Sequence, residues 1–360
     1  MDAKELLISL SNAVGVSGYE TERAEIILAF LKEHCDEAKI DKFGNVIGLK
    51  RGVLATQSSA GAATPKAGKL MFSSHMDEIG LMVAGIDEFG FLGVTQIGGF
   101  DQRNLLAQEV IVHGKEKISG VIGLKPPHIT TSSDAKKAVK LEHLLVDTGF
   151  DADEVKALVS IGDIITIDRK VVELKNNRLS GKAMDDNAGI AAYAVLFEKL
   201  KSYRHDLDLY FVASAQEEVG ARGAQVAAQE IMPDMAIALE VGFGKSAEGA
   251  NDGDLMLGDG VELVCGPNIN RKMFERLRDL AKKNGIKYNV TVTPGMTGTD
   301  ARSIQITGAG VATALATVPV KYMHTSVETI CMDDVEELGR LLGEFIISFN
   351  GCDVEEFLCF

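Results

Sequence analysis

From Val171 onward, apolar runs with strand character alternate with segments of helical periodicity, and this alternation constrains the chain more than any other feature. The spacing predicts a helix over 187–200, a strand over 207–214, a helix from about 218 to 230, a strand over 235–241, and helices over 271–284 and 334–349. Such an order favours an α/β sheet with helices packed on both faces. Upstream, "MDAKELLISLSNAVG" reads as an amphipathic helix capped by Asp2, and "EAKIDKFGNVIGLK" as two short strands turning at Gly44 and Asn45. A Gly-rich run of short strands, including "EVIVHGKEKISGVIGLK", then interrupts the pattern. It predicts a small β-rich domain over 78–168, inserted into a larger unit made of 1–77 and 169–360. Residues 52–68, rich in Ala, Ser and Gly, read as an exposed hairpin tip or mobile loop.

Composition narrows the function classes. The formal net charge of −15 disfavours a phosphate-backbone partner, because nucleic-acid affinity rests on Lys and Arg neutralising phosphates. No stretch approaches the roughly 18 uninterrupted apolar residues of a membrane span. The five cysteines, Cys35, Cys265, Cys331, Cys352 and Cys359, are odd in number and lack C-x-x-C spacing. Free thiols in a reducing, cytoplasmic compartment are therefore expected.

Chemistry-bearing residues recur at the ends of apolar runs: His75 and Asp77 in "SSHMDE", Asp185 and Asp186 in "GKAMDDNAG", Glu217 and Glu218 in "SAQEEVG", and Glu240 in "IALEVG". His324 follows the apolar stretch near Val311–Val318. In open α/β sheets the ligand crevice lies at the carboxyl ends of the strands, so these groups can converge. Each has a plainer reading: Asp185 or Asp186 as a helix cap, the paired glutamates as complements to the positive end of the next helix, and the histidines as hydrogen-bonded core residues. His34, His113, His143 and His205 have no carboxylate pattern around them and take the plainer reading, with His128 intermediate. Together, two histidines and several carboxylates form a mixed N/O donor set suited to zinc, cobalt or manganese, with no cysteine cluster for a structural zinc. Adjacent glutamates then divide the work. Glu218 binds metal while Glu217 serves as base toward the water that the metal acidifies.

The motifs "GVSGYE" (15–20), "DKFGNVIG" (41–48), "SSHMDEIG" (73–80), "GLKPPHI" (123–129), "GKAMDDNAG" (181–189), "AQEEVGARGA" (215–224), "GTDA" (298–301) and "VKYMHTSVE" (320–328) span nearly the whole chain. The set resembles the co-catalytic di-zinc aminopeptidases of the glutamyl and tetrahedral (TET) group, also labelled cellulase-M-like. The resemblance implies a three-layer α/β/α zinc-exopeptidase-like catalytic domain with an inserted PDZ-like dimerisation domain. It also implies two divalent metal ions per chain, zinc first and cobalt or manganese as alternatives. Asp185 would bridge them and be joined to Asp186 by a cis peptide. His75 and Glu240 would complete one metal site, Glu218 and His324 the other. Asp77 would orient His75, Glu217 would be the general base, and dimers would build toward a tetrahedral dodecamer. Glu240 departs from the group, where aspartate is usual, and Lys321 stands where arginine is common.

The function expected is removal of N-terminal residues from peptides. Glu240 keeps a deacylase or carboxypeptidase-like amidohydrolase as an alternative. A glycosidase fits less well, because its paired carboxyls work without histidine ligands. A scaffold that has lost one metal is the non-catalytic alternative.

Overall fold

A computed structural model describes residues 1–53, 68–124, 140–245, 255–350 and 354–358. Residues 54–67 of the loop expected over 52–68, and His128 with most of its motif, lie outside the described residues, as do Cys352 and Cys359. Cys35, Cys265 and Cys331 are free.

The larger unit is built on an eight-stranded sheet. Its strands are β1 (Glu37–Ile40), β2 (Val46–Lys50), β3 (Lys69–His75), β12 (Asp208–Ser214), β13 (Met235–Phe243), β14 (Val261–Cys265), β15 (Tyr288–Val292) and β16 (Ala312–Val320). Their order is β1-β2-β12-β3-β13-β16-β14-β15. The central four, β12, β3, β13 and β16, run parallel, so their carboxyl ends emerge on one side. These strands are nearly continuously buried, as expected for a parallel sheet covered on both faces. Neighbouring residues feed opposite layers. Phe72, Phe211 and Ile237 enter the larger core, whereas Met71, Val212 and Ala236 enter a second core beneath the helix Arg222–Ile231.

The helix Met184–Leu200 lies in the larger core and is buried on almost every side, consistent with its low amphipathicity. Tyr193 donates its hydroxyl to the Val212 carbonyl at 3.0 Å, and Phe197 and Tyr193 pack against Phe211. The helix Met332–Ile347 crosses it at Gly339, where a Cβ would meet Val195 Cβ at 2.5 Å. The N-terminal helix Ala3–Asn12 is closed by the expected Asp2 cap, in a capping box with Glu5.

A closed barrel is formed by β4 (Gly80–Ile86), β5 (Leu92–Ile97), β6 (Glu109–His113), β7 (Lys117–Gly123), β8 (Leu145–Asp147) and β9 (Ile164–Ile167). Strict alternation in β7 turns Ile118 and Ile122 inward, onto Val110, Val112 and Val146. The short helix Ala152–Leu158 contributes Val155 to that core. A third sheet of β10 (Val172–Leu174), β11 (Arg178–Gly181) and β17 (Glu328–Cys331) carries the chain into the helix that starts at Met184.

Candidate active site

Strand register brings the first residues together. Ser214 pairs with His75, and Ala238 with Ser73, so two residues further on His75 and Glu240 stand side by side at the sheet's carboxyl edge. His75 Nε2 lies 3.0 Å from Asp185 Oδ1 and 3.8 Å from Glu240 Oε2. The other oxygen of Asp185, Oδ2, lies 3.4 Å from His324 Nε2, which is itself 3.3 Å from Glu218 Oε1. Two triads result, His75/Asp185/Glu240 and Asp185/Glu218/His324, with one donor atom from each member within 4.8 Å of the others. Asp185 belongs to both and turns one oxygen to each.

Asp185 reaches this position because its backbone and that of Asp186 are not helical, although both lie within the first turn. The peptide between them is cis. The cap reading applies to Asp186 alone: it accepts from Gly189 N at 3.2 Å and from the Ser74 hydroxyl. The helix expected from about 218 begins at Arg222. Gln216, Gly220 and Ala221 adopt positive φ, which interrupts helical geometry and leaves Glu217 and Glu218 in a turn before the helix. Gly223 lets that turn close, since a Cβ there would sit 2.3 Å from the Ala215 carbonyl oxygen.

Asp77 holds the paired glutamates. Its carboxylate accepts from Glu217 N at 2.8 Å, Glu218 N at 3.1 Å and the Ser17 hydroxyl. His75 Nδ1 is nearer the Asp77 carbonyl, at 3.0 Å, than its carboxylate, at 3.5 Å. Burial works against ionisation of Asp77, but the nearby His75 ring and the bonds from Ser17 and Glu217 N hold its pKa below the ordinary value. For Glu217 the attraction of His75 compensates only in part. Burial, with Asp300, Glu218 and Asp77 nearby, pushes its pKa up to about 8.

Glu240 tests whether a cation fits. Its Oε1 is buried without a hydrogen-bond partner, and burial beside Asp186, Glu217 and Asp185 drives its pKa well up. Such an oxygen in a polar, acid-rich pocket lacks positive charge. Divalent cations fit the two triads, and glutamate at this position reaches the cluster despite its extra methylene.

Three further features escaped sequence reasoning. Asp300 of "GTDA" accepts from the Ser73 and Ser214 hydroxyls at 2.9 and 2.6 Å. Glu328, the last residue of "VKYMHTSVE", binds backbone amides of two site loops. A buried cluster of Arg23, Glu78 and Lys182 braces the segment just after His75. The quoted motifs contained Asp300, Glu78, Lys182 and Glu328, but nothing in their spacing assigned partners. His34 stacks on Phe197, His205 bonds the Leu207 carbonyl and His113 contacts the Thr166 hydroxyl, all outside both triads.

Comparison with known proteins agrees with this geometry. The family model described as M42 glutamyl aminopeptidase matches residues 54–341. The lysyl aminopeptidase of Pyrococcus furiosus is 36% identical over 94% of this chain and 94% of its own. The solved structure of the aminopeptidase APDkam598 from Desulfurococcus kamchatkensis superposes with a TM-score of 0.86 at 34% identity, covering 99% of this chain and 96% of that one. The TET1 peptidase of Pyrococcus horikoshii, described as able to assemble into a tetrahedron or a large octahedral shell, gives a TM-score of 0.82 at 30% identity, over 96% of this chain and 99% of that one. A zinc-exopeptidase-like fold, two triads sharing one aspartate and full-length relatives of one activity lead to one assignment: the chain belongs to the M42 glutamyl aminopeptidase family and is a metal-dependent aminopeptidase.

Proposed function

We propose that the two triads hold two divalent ions, zinc in the first instance, with His75 and Glu240 on one, Glu218 and His324 on the other, and Asp185 bridging. The observation that carries this reading is the division of Asp185, whose Oδ1 faces His75 and whose Oδ2 faces His324. Ions bound there would polarise the scissile carbonyl and acidify the attacking water. Glu217 takes the proton from that water as its oxygen bonds to the carbonyl carbon. It then passes the proton to the amine nitrogen as the C–N bond breaks. Its place beside Glu218, on backbone that the Asp77 carboxylate holds, supports this role. Asp77 holds the backbone of Glu217 and Glu218 and, through its carbonyl, the ring of His75.

Glu217→Gln should retain two equivalents of metal and lose at least about 100-fold in kcat on aminoacyl substrates, the lower end of what general base catalysis supplies. A panel including lysyl and glutamyl substrates also reads the preferred first residue. Near-normal turnover by this variant would remove Glu217 from the role.

The barrel, bounded by 78–168, is proposed as the dimerisation domain, with dimers as the unit of a larger homo-oligomer. The assembly described for the horikoshii peptidase supports this. Among the described residues no helix is long and apolar enough to cross a membrane. The three free cysteines support a cytoplasmic setting.

A further inference from the structure

Glu328 lies outside both triads yet binds the backbone beside each of them. It opens β17, pairs with Gly181 across the third sheet and is 2% exposed. Its Oε2 accepts from Met184 N at 2.7 Å and Asp185 N at 3.1 Å, and its Oε1 accepts from His324 N at 2.7 Å. The first two donors belong to the opening turn of a helix, where no intrahelical acceptor exists. The third belongs to a residue with φ +60° in the turn between β16 and β17. One buried carboxylate therefore ties the segment that carries Asp185 to the segment that carries His324.

We propose that Glu328 is a positioning residue that sets the spacing between Asp185 and His324, and so forms the Asp185/Glu218/His324 metal site. The inference rests on the two-metal reading above. The two sites do not depend on Glu328 equally. His75 and Glu240 project from adjacent central strands, β3 and β13, whose ladders fix them without it. His324 sits in a turn, its side chain is 33% exposed, and its backbone amide finds its acceptor in Glu328. A carboxylate suits this place because all its lone pairs accept. Glutamine would put an NH2 group against either the Met184 and Asp185 amides or the His324 amide. Aspartate keeps the carboxyl group but is one methylene shorter, too short to serve both segments.

The test is an equilibrium zinc titration of the chelator-treated full-length protein, with melting curves of the metal-free forms alongside. Wild type should bind two equivalents. In Glu328→Gln one of the two equivalents should lose about 10–100-fold in affinity, the usual effect of removing a partner behind a metal ligand, and the other should change less. Glu328→Asp should lose the same equivalent, and it decides the matter if the glutamine variant does not fold. If both variants bind two equivalents as wild type does and only the metal-free melting temperature falls, Glu328 is merely structural and the proposal is overturned. If wild type itself binds fewer than two, the two-metal reading fails and the proposal with it.

Discussion

Arg23→Met probes the brace beneath the site. Arg23 is fully buried and bonds Leu10 O through Nε at 3.0 Å, Ala13 O and Glu78 Oε1 through Nη2 at 3.0 and 2.9 Å, and Met76 O through Nη1 at 2.5 Å. Methionine keeps an unbranched side chain in the space but removes every donor. The Ala13 carbonyl retains Lys182 Nζ, the Leu10 carbonyl retains Ala13 N, and Glu78 retains Lys182 and Gly15 N. The Met76 carbonyl keeps no other hydrogen bond among the described contacts, at a cost of about 1–3 kcal/mol. Loss of the charged bond to Glu78 adds about 1.5–3 kcal/mol. The expected loss, about 3–5 kcal/mol, matches that for breaking a buried ion pair. With an unfolding entropy of about 2.1 cal/mol/K per residue, the 360-residue chain should melt about 4–7 °C lower. Differential scanning calorimetry of the metal-loaded protein reads this. Glu78→Gln should cost more, because it strands both Arg23 and Lys182, and the double variant should cost less than the two losses added. A loss under about 1 kcal/mol for Arg23→Met, or strict additivity, would refute the brace.

Chelation should destabilise the protein, because the buried carboxylates of the site then lack cations. At a thousandfold excess over Kd, each ion contributes about 4 kcal/mol, so a melting curve unchanged by chelator would argue against bound metal. Asp334 supplies a pH test away from the site. It accepts from Gly258 N and Gly260 N, and burial pushes its pKa from 3.8 up to about 6. With the folded value raised, its favourable contribution is complete below about pH 4 and is lost as the pH rises through about 6. Between pH 4 and 8 the stability of Asp334→Asn should therefore gain on wild type by up to about 3 kcal/mol. A gap that does not change with pH would contradict this.

Local signals reached far into this molecule. Apolar runs gave the strands because a parallel sheet covered on both faces needs continuous burial, and the Gly-rich run of short strands gave the β-rich region, whose alternation in β7 only the structure shows. Asp2 announced its helix because capping is a contact between neighbours in sequence. The histidines and acids of the site were legible as strand-end residues, since strand ends are where a parallel sheet delivers side chains. Their pairing was not. That Asp185 divides its oxygens between His75 and His324 follows from the order of β12, β3, β13 and β16 and from a helix start whose backbone is not helical. The helix predicted from 218 begins at 222 because Gln216, Gly220 and Ala221 adopt positive φ in a turn whose Glu217 and Glu218 amides bond the distant Asp77 carboxylate rather than helical partners. Sequence by itself determined which groups could do chemistry, because residue type and periodicity are local. Only the tertiary structure decided which groups meet, and that Glu328, Arg23 and Asp77 hold them there, because those bonds join residues as many as 144 positions apart.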